Sequence, residues 1–167
     1  MSRPAVGVGA IIFRYAEDEH ELEILLIRRG KPPGMDGWTV PGGAVELGET
    51  LAEAVKRETD EEVMVSIDVG PLVEAVNIIG RCEQGVEYHF VVLDYLCWYR
   101  HGEARAATDA AAARWVRVSE LGGVNLVGQT RAVIDSALAL IRNGTYRPPF
   151  RAAAAGPFAR ASAESAT

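Results

Sequence analysis

Cysteine is scarce in this chain: Cys82 and Cys97 are its two thiols. They have no companions and no metal-type spacing, which excludes a zinc ribbon or a disulfide scaffold and leaves free thiols in a reducing compartment as the expectation. Histidine is nearly as rare. His20, His89 and His101 lie far apart, so no His-based triad or zinc site is legible, and His89 reads as a strand residue. No apolar run approaches the roughly 18 residues that a membrane helix needs. A basic surplus is also missing: the net charge is -6, against the positive face expected of a nucleic-acid coat protein. That balance still allows a nucleotide substrate, because a metal can supply positive charge. The N-terminal apolar stretch is interrupted by Gly7 and Gly9 and has no A-x-A-like site after it, so it reads as a first strand and not as a signal peptide. The expectation from these features is a cytoplasmic protein whose partners include no membrane and no nucleic acid.

The 167 residues, 49% hydrophobic and 24% charged, suit one well-packed domain. β-Branched and apolar runs predict strands at Val6–Tyr15 and Leu22–Arg28, separated by a polar turn. Gly30–Gly37 must be a loop, leading to a short strand at Trp38–Val40 and a Pro41-Gly42-Gly43 loop. Thr50 with Glu53 forms a capping box, so a helix should run from Leu51 to Val63. Further strands are expected at Ile67–Ile79, bent near Gly70-Pro71, at Tyr88–Tyr99, and at Arg114–Val118 after a loop over 100–112. Ser119–Leu121 should make a helical turn, and Asn125–Arg142 a closing helix stopped by Asn143-Gly144. Residues 1–147 form the expected domain, and the Ala-rich 148–167 an expected mobile tail. Strands interleaved with two helices predict an α/β fold, a mixed sheet covered on both faces.

The chemistry concentrates in Arg57-Glu58-Thr59-Asp60-Glu61-Glu62. On a helical wheel at about 100° per residue, with Glu58 at zero, Glu62 falls near +40° and Glu61 near -60°. Leu51, Ala54 and Val55 share that sector, while Lys56 and Asp60 lie opposite. All three glutamates should therefore face inward, where their mutual repulsion and desolvation require compensation. Arg57 can offset part of the charge. The rest is met either by an ion-pair network alone or by a hard divalent cation such as Mg²⁺ or Mn²⁺, held in an all-oxygen site. The glycine pair ahead of the helix can bring backbone oxygens near such an ion, and Glu49 adds another carboxylate.

Together, Gly43-x5-Glu49-x7-Arg57-Glu58-Thr59-x-Glu61-Glu62-x-Met64-Val65 closely resembles the Nudix box, G-x5-E-x7-R-E-U-x-E-E-x-G-U, where U is bulky and apolar. The order of elements over residues 5–145 is also similar to that family. Two positions depart: Thr59 stands at an apolar site, and Met64 stands where the helix-ending glycine belongs. If that position needs positive φ, methionine costs on the order of 1 kcal/mol; no metal ligand is lost.

The resemblance implies a Nudix-type α/β/α sandwich and Mg²⁺-dependent hydrolysis of a nucleoside diphosphate linked to another group, with Mn²⁺ able to substitute. By position it implies Gly42, Glu58, Glu61 and Glu62 as metal ligands and Glu58 or Glu62 as the group acting on water. Arg57 and Glu49 would be a supporting pair. Arg28, Arg29 and Lys31 could meet phosphates. Asp109, Glu103 and Glu87 are candidates for one more carboxylate, and Trp38 and Tyr88 could stack on a base, although core roles suit them better. The RRGKPPG run and the long loop before Arg114 look more like ADP-ribose pyrophosphatases. A MutT-like triphosphate enzyme, acting on oxidised nucleotides among others, and a non-catalytic nucleotide-binding regulator are the alternatives. Family members often dimerise, and the apolar first strand is compatible with a homodimer.

Overall fold

A computed structural model describes residues 3–18, 20–31 and 36–149. The mobile tail expected from 148 onward therefore falls almost wholly outside the described residues, as does the centre of the 30–37 loop. Seven strands form one sheet: β1 (Ala5–Tyr15), β2 (Leu22–Arg29), β3 (Trp38–Thr39), β4 (Gly42–Ala44), β5 (Ser66–Cys82), β6 (Gly85–His101) and β7 (Ala110–Arg117). Two helices pack on it, α1 (Leu51–Val63) and α2 (Thr130–Arg142), and a short 3-10 segment spans Val118–Gly123.

β1 is the organising strand. It runs parallel to β6 from Ala5 to Phe13, which commits one whole edge. Its other edge is shared: β4 pairs with Gly7–Gly9 and β2 with Phe13–Tyr15, both antiparallel. The sheet is thus mixed, as expected. β7 pairs along β2, and β5 and β6 form a long hairpin whose register shifts around Gly70-Pro71.

Side-chain alternation along the strands builds two cores. Ile11, Phe13, Ile24, Leu26, Leu96 and Trp98 point to one face, where α2 adds Val133, Ile134 and Leu138. Val8, Ala10, Ile12, Leu25, Ile27 and Cys97 point to the other, against Ala54, Val55 and Val63 of α1. Cys97 is buried and Cys82 is exposed, and both are free thiols.

α1 keeps the predicted bounds. Its Thr50 oxygen accepts from the Glu53 N–H, and Glu53 in turn accepts from the Thr50 N–H at 2.7 Å. The far end closes on Met64 at φ 61°, ψ 31°, whose N–H donates to Asp60 O at 3.0 Å. Positive φ is therefore required where the family pattern places glycine.

β5 and β6 run up to three residues past their expected bounds, and the three largest departures each have a tertiary reason. Gly42–Ala44 is a strand and not a loop, because β2 leaves part of β1 free and β4 pairs there. Ala110–Ala113 extends the last strand back into the predicted loop, since β2 offers an edge to pair with, from Arg29 to Ile27, that overrides alanine's weak β preference. The closing helix begins at Thr130 and not Asn125. Trp38 captures the segment between them: its N–H donates to Asn125 O at 2.8 Å and its carbonyl accepts from Val127 N–H at 3.0 Å, and Gly128 then turns at φ 55°. Among the described residues no helix is long and apolar enough to cross a membrane.

Candidate metal and nucleotide site

The site begins with Arg57, which ties the pre-helical segment to the helix. Its Nη2 donates to Ala44 O and to Glu49 Oε2, each at 2.9 Å, while Nη1 donates to Glu58 Oε1 at 2.8 Å and Glu61 Oε2 at 3.3 Å. The fork geometry suits a planar guanidinium and would not suit a lysine. Hydrogen bonds from Arg57 and from the Glu46 N–H hold the Glu49 carboxyl at about 2, well below the usual carboxylate range. Glu49 and Arg57 thus join loop and helix.

Glu62 is the buried member of the cluster, only 8% exposed. Its Oε2 accepts from the Gly42 N–H at 2.9 Å. Burial pushes its pKa up to about 7; the Gly42 hydrogen bond works against that rise, Glu58 adds to it, Arg29 opposes it and Asp109 adds to it. Glu58 lies against Gly43, where a Cβ would strike its carboxyl group. The glycine is there because the carboxylate needs its space.

Glu61 departs from the wheel-based expectation. Its side chain is half exposed, not inward. At about -60° it sits on the rim of the stripe that contacts the sheet, held by Arg57 one turn earlier. Thr59 is fully buried in the position expected for an apolar residue, and its hydroxyl has no partner among the described residues.

Among the described residues no three acidic, imidazole or thiol groups are gathered as a ready-made metal cage. The reason is local: Arg57 engages oxygens of both Glu58 and Glu61. The donor set still fits a hard cation, being entirely oxygen and centred on a mutually repelling pair, the buried Glu62 and the half-buried Glu58. Pro41 O accepts from Ala10 N–H, and Gly42 N–H points the other way, to Glu62. Backbone alternation turns the Gly42 carbonyl toward that same side.

Glu62, Gly42 and Gly43 open onto a cavity of about 760 Å³ on the α2 side of the sheet. Gly7 and Gly9 leave its floor open, Tyr88 and Phe90 form an apolar wall, and Gln129 and Thr130 lie at the start of α2. The volume is of the size that holds a nucleotide-sized ligand. Arg29 lines the cavity, and its Nε is buried without a partner among the described residues. Arg28, with a similarly orphaned Nε, is not among the lining residues. Asp109 is exposed and paired with Lys31 at 2.5 Å, near enough for its charge to be felt at Glu62. Glu103 is paired with Arg105 and Glu87 is exposed. Trp38 is half-buried with Arg114 stacked over its ring at 4.5 Å.

Sequence reasoning passed over Asp94, a buried carboxylate on the cavity floor. The signal was present: one acid inside the apolar run Tyr88–Tyr99, matched by a Gly-Val-Gly alternation in β1 that clears the facing surface.

The NUDIX domain model matches residues 3–137. An ADP-ribose pyrophosphatase of Methanocaldococcus jannaschii is 34% identical over 118 residues, covering 71% of this chain and 64% of that protein. The match therefore spans just under two thirds of the archaeal relative's length. A putative 8-oxo-dGTP diphosphatase 2 of Mycobacterium tuberculosis is 33% identical over 123 residues, with 73% and 83% covered. Among solved structures, a MutT NUDIX hydrolase from Burkholderia pseudomallei superposes with a TM-score of 0.68 at 30% identity, covering 81% of this chain and 98% of that one. With its motif, its sheet order and a family match across nearly the whole described domain, this chain belongs to the NUDIX family.

Proposed function

We propose that this protein is a pyrophosphohydrolase that cleaves the diphosphate linkage of a nucleoside diphosphate joined to another group. An ADP-ribose-like compound is the favoured substrate. The observation that carries the reading is the placement of Glu62 and the Gly42-Gly43 backbone on the lining of an apolar cavity of nucleotide size, with the Glu58 carboxyl packed against Gly43. Phosphates belong at the acidic end, where Arg29 offers a guanidinium, and the nucleoside belongs between Tyr88, Phe90 and the start of α2.

Gly42 O, Glu58, Glu61 and Glu62 are the residues that would hold Mg²⁺, with Mn²⁺ able to replace it. Bound there, the cation would neutralise charge on the diphosphate and lower the pKa of an attacking water. Arg57 and Glu49 keep the helix and β4 in register so that those oxygens stay convergent. Glu62, fixed by the Gly42 N–H, and Glu58, pressed on Gly43, are the two carboxylates positioned to accept the proton of water. Neither a serine nor a cysteine nucleophile is needed.

The names of two relatives support different substrates, ADP-ribose for the archaeal protein and 8-oxo-dGTP for the mycobacterial one. Product analysis separates them. With Mg²⁺, ADP-ribose should give AMP and ribose 5-phosphate; a MutT-like activity would instead release a nucleoside monophosphate and pyrophosphate from a triphosphate. A panel of dinucleotides, sugar nucleotides and triphosphates left intact would overturn hydrolysis and favour a nucleotide-binding regulator.

A further inference from the structure

Asp94 has no role in the chemistry above, yet it is only 6% exposed. It sits in mid-β6, beside Gly9 of β1 and Glu74 of β5. Its carboxyl group occupies the space over Gly9, where a Cβ would collide with Oδ1. A buried carboxylate normally recovers its lost hydration through donors. Here, among the described residues, no hydrogen bond or ion pair reaches it: the neighbouring Glu74 is itself an acid and is engaged by the Ser136 hydroxyl at 3.0 Å. The lining of the cavity contains three charged residues, and they are separated in role. Glu62 and Arg29 belong to the acidic mouth, whereas Asp94 lies on the sheet floor among Val76, Val92 and Phe90.

We propose that Asp94 reads the nucleobase of the substrate, accepting a hydrogen bond from an exocyclic amine and so selecting amino-bearing bases over their keto counterparts. The inference rests on the reading of the cavity as a nucleotide site and assigns the polar contact that this reading leaves open. Apolar walls can hold any base by stacking, but they do not tell bases apart. A carboxylate does: it accepts from the N–H of adenine's amine and repels the O6 of hypoxanthine. Gly9 belongs to the same device, since any side chain there would displace the carboxyl group. Burial and the nearby Glu74 push the Asp94 pKa up to about 6, which is the cost a donor on the ligand would offset.

The test compares ADP-ribose with its hypoxanthine analogue, made by deamination. Wild-type protein with Mg²⁺ should prefer the amino substrate by roughly 10- to 100-fold in kcat/KM, the worth of one charge-assisted hydrogen bond, and mostly through KM. Asp94→Asn keeps the shape and presents both a donor and an acceptor, so it should bring the two substrates to within about threefold. A wild-type ratio near one, or a ratio unchanged in Asp94→Asn, overturns the assignment. Should ADP-ribose not be cleaved at all, the favoured substrate is wrong, and calorimetric binding of AMP against IMP to the wild type decides the Asp94 proposal separately. Tighter AMP binding upholds it and equal affinity overturns it, with no variant required.

Discussion

Replacing Met64 by glycine should stabilise this protein. Met64 closes α1 in the left-handed region, at φ 61° and ψ 31°, a conformation that costs an L-residue about 1–2 kcal/mol. Its side chain has little to lose, since the residue is 53% exposed. Glycine removes the steric cost but adds freedom to the unfolded chain, worth about 0.4–1 kcal/mol in the opposite direction. The balance is a gain of about 0.5–1 kcal/mol, or roughly 1–4 °C in Tm for a domain of this size. Urea unfolding followed by tryptophan fluorescence should show a higher midpoint at unchanged m-value. Met64→Ala, which keeps a Cβ, should show no such gain. Turnover should remain within about twofold of wild type, because Glu62 is anchored independently: its carboxylate by Gly42 N–H, and its backbone carbonyl by Ala107 N–H at 2.9 Å. A midpoint that falls in Met64→Gly would show that the methionine makes contacts outweighing its backbone strain, and the reasoning would fail.

Other outcomes follow from the same geometry. Glu62→Gln should lower Mg²⁺-dependent kcat by at least about 100-fold with an unchanged far-UV circular dichroism spectrum, since it neutralises the buried carboxylate held by the Gly42 N–H at the proposed metal site. Arg57→Lys should reduce kcat/KM about 10- to 100-fold, because an ammonium cannot bridge Ala44, Glu49 and Glu58 together. Thr59→Val should raise stability by about 1 kcal/mol in urea titration by removing a buried hydroxyl without a partner among the described residues. Asp94 makes a pH prediction. Its folded pKa lies above the ordinary value, at about 6, so its contribution is favourable only while it stays protonated. Asp94 should contribute a fall in stability of about 3 kcal/mol as pH rises from about 4 past 6; Asp94→Asn should lose that part of the slope and keep the part due to Glu62, whose pKa is raised to about 7.

Much of this was written in local sequence, because the interactions concerned are local. The capping box spans Thr50 to Glu53, and the spacing of Arg57, Glu58 and Glu62 is set by helical periodicity, so the bounds of α1 and the identity of its chemistry needed no fold. The Nudix spacing likewise named the family before any strand was placed. The remainder depended on contacts distant along the chain. Whether Gly42–Ala44 is a loop or a strand turned on how much of β1 the second strand left free. The start of α2 turned on Trp38 capturing the backbone of Asn125 and Val127. Glu61 and Glu62 are adjacent in sequence, yet one is exposed and the other buried, because β4 crosses the helix beside only one of them. Asp94 shows the division most clearly. The sequence by itself determined that an acid would interrupt an apolar strand; only the pairing of β1 with β6 decided that it would lie over Gly9, facing the cavity with no partner among the described residues.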